Sequence, residues 1–143
     1  MIHDFDYERH PNAEHSPTDG HPAHGVRVLR ELGWPEDILQ AILGHGTYTG
    51  VARQTRMAKA LFAVDELTGL VTATALVRPS KSIHEVDARS VKKKMKDKGF
   101  ARAVNREDIT KGAEIMEIDL DEHIAFVIES LKPVARDLGI AGT

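Results

Sequence analysis

The stretch from about Gln54 to Val77 runs without a turn signal, and this feature most constrains the fold of the chain. Met57, Ala58, Leu61 and Phe62 fall on one face by the i+3/i+4 spacing of a helix. The last part of the stretch is rich in β-branched residues and resembles a strand. Because the apolar pattern continues unbroken, we predict one long helix that ends before Pro79.

The rest of the chain also reads as helical. Apolar spacing and capping residues predict helices over about 18–32, 35–44, 88–98, 106–116 and 121–138. We expect Pro133 to bend or break the last one, whose buried stripe is predicted to include Ile124, Phe126 and Val127. His84 and His123 are predicted to lie at the surface. With no hairpin signal, the predicted architecture is all-α, a bundle of about five to six helices.

Composition excludes several classes of function. The chain has 143 residues, no cysteine and a net charge of −3. Disulfides, thiolate metal sites and a cysteine nucleophile are therefore excluded, and the charge gives no general reason to bind nucleic acid. No apolar run approaches the roughly 18 residues of a membrane span. We expect one domain in the cytoplasm, with no membrane partner.

The adjacent pair His3-Asp4 is the strongest indication of chemistry. It supplies an imidazole and a carboxylate from one turn, and Asp65 on the long helix adds a second carboxylate on an otherwise apolar face. An unpaired buried carboxylate is costly, so Asp65 calls for a cation or strong donors. This mixed nitrogen and oxygen set suits a divalent transition metal. The alternative is that Asp65 forms an ordinary salt bridge or caps a neighbouring helix.

Two further histidines extend the pattern. His21 begins one predicted helix and His45 ends another, so both side chains can face the cleft that holds His3 and Asp4. Taken singly, each is more often a surface or capping histidine. Together with the His-Asp pair and Asp65 they predict one site.

These residues, taken in order, resemble the HD-domain proteins, helical metal-dependent phosphohydrolases, and in particular a bacterial subgroup of them. The resemblance is carried by residues 1–8, by His21-x-x-x-Gly25-x-x-x-Leu29, by Ile42-x-x-His45 and by residues 63–67 around Asp65. It implies that His3, Asp4 and Asp65 bind a divalent metal ion (Mn, Fe, Co, Ni, Mg or Zn). It also implies catalytic roles for Asp4, His21 and His45, the two histidines contacting phosphate or a second ion. The implied reaction is hydrolysis of a phosphomonoester or a nucleotide-like phosphodiester.

The chain departs from the family pattern at its start. That pattern begins with an earlier histidine, on a helix that precedes the His-Asp pair. We therefore expect an N-terminally incomplete domain, with the metal-site core in residues 1–80 and a basic segment and C-terminal helices in residues 81–143. The alternative is a degenerate, non-catalytic HD domain that binds a phosphorylated ligand or a protein partner. Apolar surface left by a missing helix favours a homo-oligomer.

A basic segment from Arg89 to Arg106 offers cations for a phosphate. Lys94 and Arg102 are the predicted contacts with the substrate phosphate, since lysine acts as a point charge and arginine forms bidentate hydrogen bonds. The alternative is a solvated face that pairs with the acidic C-terminal half. No aromatic residues are interleaved for base stacking, so nucleic acid is a disfavoured partner.

Overall fold

The computed structural model describes residues 2–143, and the regular structure in them is helical. The six α-helices are α1 (Ala23–Glu31), α2 (Glu36–His45), α3 (Arg56–Leu76), α4 (Ala88–Lys96), α5 (Arg106–Ile115) and α6 (Leu120–Leu131). Short 3₁₀ turns cover Ile2–Asp4, Thr47–Thr49, Ile83–Glu85 and Lys132–Val134. The described residues form no strand, only an isolated bridge between Ser82 and Ala141. The prediction of an all-α fold with five to six helices is confirmed.

The long helix α3 is continuous through its β-branched second half, as predicted. Its apolar face carries the buried residues Phe62, Leu67 and Leu70. Charged residues such as Asp65 nevertheless interrupt this apolar face. Across residues 2–143, no helix combines the length and the apolar character needed to cross a membrane.

Contacts divide the chain into two compact units, Met1–Phe62 and Ala63–Thr143, and α3 contributes residues to each. In the first unit, α1 packs on α2 through a small apolar cluster of Val26, Leu29, Leu39 and Ile42. The division near residue 80 and the single domain that the sequence suggests stay predictions.

Helix α1 begins at Ala23, later than the predicted start near residue 18. The preceding loop is held by Asn12, whose side chain donates to the Ser16 carbonyl and accepts from the Ser16 amide, each at 2.8 Å. These hydrogen bonds satisfy the loop backbone outside a helix, so residues 16–20 do not join α1.

The second unit has the larger core, drawn from α3 to α6 and from the C-terminal segment. Its most buried members include Leu67, Leu70, Ile109, Ile124 and Ile140. Helices α3 and α5 approach closely where Gly112 faces Ala63, because a Cβ built at Gly112 would lie 2.6 Å from the Ala63 Cα. Only glycine fits at this point.

Helix α6 corrects three predictions. It ends at Leu131, and Pro133 lies in the 3₁₀ turn that follows, so the predicted break is confirmed but the end near residue 138 is wrong. Phe126 is 67% exposed rather than buried, whereas His123 is only 3% exposed and donates from Nε2 to the Ala63 carbonyl at 2.8 Å. One turn separates His123 from buried Val127, which places it on the core face and Phe126 off it.

Candidate metal centre

The 3₁₀ turn at Ile2–Asp4 presents His3 and Asp4 side by side. The His3 ring is buried, and its Nε2 lies 3.0 Å from Asp4 Oδ2. Since this contact occupies Oδ2, the other carboxylate oxygen, Oδ1, is left to face the remaining histidines. The Asp4 side chain is 44% exposed, so the carboxylate is open to water and to small ligands.

Asp4 Oδ1 lies near His21 and His45, the two histidines that the sequence predicts to share this site. His21, just before α1, brings its Nε2 to 3.4 Å from Oδ1, and His45, the last residue of α2, brings its Nε2 to 3.8 Å. The two Nε2 atoms lie 3.1 Å from each other. The first unit thus gathers Asp4, His21 and His45 into a cluster that can hold a metal ion.

The far sides of both imidazole rings fix which nitrogen carries the proton. His21 Nδ1 lies 2.8 Å from Asp6 Oδ1, and His45 Nδ1 contacts the Ile42 carbonyl oxygen. A carbonyl and an ionised carboxylate only accept hydrogen bonds, so each Nδ1 carries the donated proton. In its neutral form, each ring therefore turns an unprotonated Nε2 lone pair towards Asp4.

The arrangement of Asp4, His21 and His45 suits a bound cation. When both rings are neutral, two lone pairs and a carboxylate oxygen converge within 3.8 Å with no donor among them. Such a set is repulsive until a metal ion or a proton is placed between its members. Histidine ligands of metals usually donate their other ring N–H to a carboxylate or a backbone carbonyl, as both do here.

Asp6 is a site residue that the sequence interpretation did not identify. Its side chain is 2% exposed, and its two oxygens accept from His21 Nδ1 and from the Gly25 amide, each at 2.8 Å. A Cβ at Gly25 would lie 2.7 Å from the Asp6 Cγ, so the carboxylate fits only because α1 has glycine there. The spacing of His21 and Gly25, one helical turn apart, is the signal that could have indicated it.

Two more side chains hold the backbone of His21. The Tyr48 hydroxyl donates to the His21 carbonyl at 2.9 Å, and the Asn12 side-chain amide donates to the same oxygen at 2.8 Å. Burial, followed by the nearby Asp6 charge, raises the pKa of the Tyr48 hydroxyl. Tyr48 is therefore a neutral donor, and its hydrogen bond helps to hold His21 in the site.

Burial on its own would raise the pKa of Asp4. The hydrogen bond from His3 and the attraction that His3, His45 and His21 exert when they are protonated outweigh it, so the pKa of this carboxyl lies below its ordinary value. Asp4 is therefore an anion at neutral pH, as a metal ligand must be.

The other predicted site residues belong to the second unit. Asp65 is half-buried on α3, and its place among the metal ligands stays a prediction. Lys94 on α4 directs its ammonium over the Phe100 ring, 4.4 Å from the centroid, and Arg102 is exposed in the segment between α4 and α5. Their contacts with a substrate phosphate also stay predictions.

Comparisons of the chain with protein-family models, with curated proteins and with solved structures found no match. The resemblance to HD-domain proteins therefore stays a hypothesis based on sequence motifs.

Proposed function

We propose that this chain is a metal-dependent phosphohydrolase of the HD type, acting on a phosphomonoester or a nucleotide-like phosphodiester in the cytoplasm. One observation carries the proposal: the Nε2 lone pairs of His21 and His45 converge with the Asp4 carboxylate, while both Nδ1 atoms are already bonded. Two imidazoles and a carboxylate favour Mn, Fe, Co, Ni or Zn over Mg, which prefers oxygen ligands.

Asp4, His21 and His45 would hold the ion in this proposal, with His3 and Asp65 as the further ligands implied by the sequence. A bound divalent ion supplies Lewis-acid polarisation of a phosphoryl oxygen and lowers the pKa of a water molecule. If Asp4, His21 and His45 alone bind the ion, the three protein ligands leave coordination positions for water and substrate, the arrangement expected of a catalytic rather than a structural site.

The side chains then have separate tasks. Asp6 holds His21 in the tautomer that presents Nε2, and the Ile42 carbonyl does the same for His45. His3 contacts one oxygen of Asp4 and restrains the orientation of this carboxylate, which would accept a hydrogen bond from the attacking water. Lys94 and Arg102 are proposed to neutralise charge on the phosphoryl group.

The decisive experiment measures metal content and hydrolysis together. Protein purified without chelator and without a histidine tag is analysed by inductively coupled plasma mass spectrometry, then screened against phosphomonoesters and phosphodiesters. We expect near-stoichiometric transition metal and metal-dependent hydrolysis, both lost in His21→Ala and His45→Ala. His84→Ala is the matched control, because His84 is exposed and lies in the second unit.

The outcomes separate the proposal from its rival. Absence of metal after loading, or full metal-dependent activity in His45→Ala or Asp65→Ala, would contradict the assignment. Bound metal and retained affinity for a phosphorylated ligand, with no hydrolysis of any phosphoester, would instead support the non-catalytic HD domain.

A further inference from the structure

Helix α4 presents a stripe of exposed cations. Arg89, Lys93 and Lys96 lie at positions i, i+4 and i+7, so they share one face over about 10 Å of helix. Within residues 2–143, none of the three forms a salt bridge. They line a groove of about 720 Å³ together with Lys92, Asp87 and Asp121.

The two acidic residues of this groove do not neutralise the stripe. The Asp87 carboxylate accepts from the Ser90 amide at 2.8 Å and so caps α4. Asp121 forms a 2.9 Å ion pair with Lys92. The groove therefore keeps a net positive charge.

Three further carboxylates, named here the acidic edge, lie on α5, on α6 and in the segment between them, and α6 also contributes Asp121 to the groove. Glu122 follows Asp121 directly, and Glu114 and Glu117 lie between the last turn of α5 and the start of α6. All three are exposed or half-exposed, and none forms a salt bridge within the part of the chain that the structure describes. The Lys92–Asp121 ion pair joins the two surfaces, since α4 packs against α6.

Helix α6 also carries an exposed aromatic residue. Phe126 lies one turn after Glu122 on α6, so the two side chains emerge on the same side of the helix. It is among the most exposed of the large apolar side chains in residues 2–143. A large, exposed aromatic ring flanked by charges is the kind of residue that anchors protein interfaces.

We propose that this α4–α6 face is the interface of a twofold homodimer, in which the α4 cations of one copy meet the acidic edge of the other. A twofold interface uses the same patch on both subunits, so it needs a patch that carries both charges. The three cations of the stripe and the three carboxylates of the acidic edge, on adjoining helices, meet that need. Nucleic acid fits less well, because no aromatic side chain is among the described residues that line the groove and the chain is net acidic.

The test uses the full chain and two charge reversals, Lys93→Glu and Glu122→Lys. Sedimentation equilibrium should show a dimer for the wild type and, for each variant, a dimer dissociation constant raised at least about tenfold by like-charge contacts. Mixing the two variants should restore a dimer, seen by native mass spectrometry as the heterodimer. In that heterodimer the two reversed positions face each other with opposite charges, and so do the two unchanged ones. The double variant Lys93→Glu/Glu122→Lys should dimerise alone.

Arg56→Glu and Glu31→Lys are the matched controls, since both residues are exposed and lie in the first unit. They should leave the dimer unchanged, whereas 1 M salt, with a screening length of about 3 Å, should weaken it. A wild-type monomer at low salt and high concentration would overturn the proposal, as would a mixture without heterodimer. A monomer whose groove binds an acidic peptide or RNA would also overturn it. None of these readouts depends on metal or on hydrolysis.

Discussion

The Nε2 atoms of His21 and His45 lie 3.1 Å apart, and the Nδ1 atom of each ring is bonded to an acceptor. When both rings are neutral, the two facing lone pairs repel each other, and either a proton or a metal ion placed between them removes this repulsion. The side chains that lock the two tautomers are therefore as important to metal affinity as the ligands themselves.

Replacing Asp6 by asparagine should lower metal affinity about 10–100-fold. Asparagine can still accept from His21 through its oxygen, but its amide group would then point donors at the Gly25 amide, and the negative charge is lost. Titration in competition with a fluorescent chelator measures the effect. Asp137→Asn, an exposed carboxylate in the second unit, is the control. An Asp6→Asn protein with wild-type affinity would contradict the role given to Asp6.

Gly25→Ala should damage both stability and metal binding. The added methyl group would meet the Asp6 carboxylate at 2.7–2.9 Å. Overpacking of this kind costs about 1–3 kcal/mol, so we expect a loss of that size in the free energy of unfolding of the metal-free protein. Chemical denaturation followed by circular dichroism measures it. Metal affinity should fall in parallel because Asp6 must move.

Substitution by alanine at two glycines of the second unit should change the free energy of unfolding with opposite signs. At Gly112 the new methyl group would lie 2.6 Å from the Ala63 Cα, which is backbone and cannot move alone. We expect destabilisation by about 1–3 kcal/mol. At Gly69, inside α3, the nearest atom is Val104 Cγ2 at 3.9 Å, so Gly69→Ala should stabilise by up to about 1 kcal/mol. Urea titrations that show the same sign for both would refute this view of the α3–α5 contact.

The Asp87 cap should make stability depend on pH. The Ser90 backbone and side chain hydrogen-bond to Asp87 and hold its pKa below the ordinary value. A carboxyl with a depressed pKa stabilises the fold above its unfolded pKa and loses that contribution as pH falls through the folded one. Asp87→Ala should therefore cost about 1 kcal/mol at neutral pH and much less in acid.

Asp87→Asn separates capping from charge. Asparagine caps helices about as well as aspartate, so this variant should keep most of the stability at neutral pH. Its stability should depend less on pH in the acid range than that of the wild type. Thermal unfolding between neutral pH and the acid range checks both expectations.

Local patterns predicted the helices well because they depend on neighbours in sequence. The apolar spacing of α3 and the break at Pro133 needed no tertiary information. The start of α1 was missed because the side chain of Asn12 holds the loop before it. His123 was predicted at the surface and Phe126 in the core, and both predictions are wrong. A histidine was expected to be exposed even though its position on the helix directs it into the core.

The candidate site was likewise predicted where its signal is local in sequence and missed where it depends on distant residues. The adjacency of His3 and Asp4 and the helix-end positions of His21 and His45 are local, and the structure brings these side chains together. Asp6 was missed because its role arises from the Gly25 amide, 19 residues away. Tyr48 was missed for a similar reason, since its hydroxyl reaches a carbonyl 27 residues away.

Among the described residues of the first unit, the apolar cluster is small and has Val26, Leu29, Leu39 and Ile42 as its buried members, whereas His21 is contacted by polar side chains. An ion bound there would join the N-terminal turn to α1 and α2, a task that apolar packing performs in larger cores. Ligand binding to the folded state raises stability with the logarithm of ligand concentration. The concentration of free metal ion would thus control the resistance of the first unit to proteolysis. Backbone amide exchange in α1 and α2 would report the occupancy of the site.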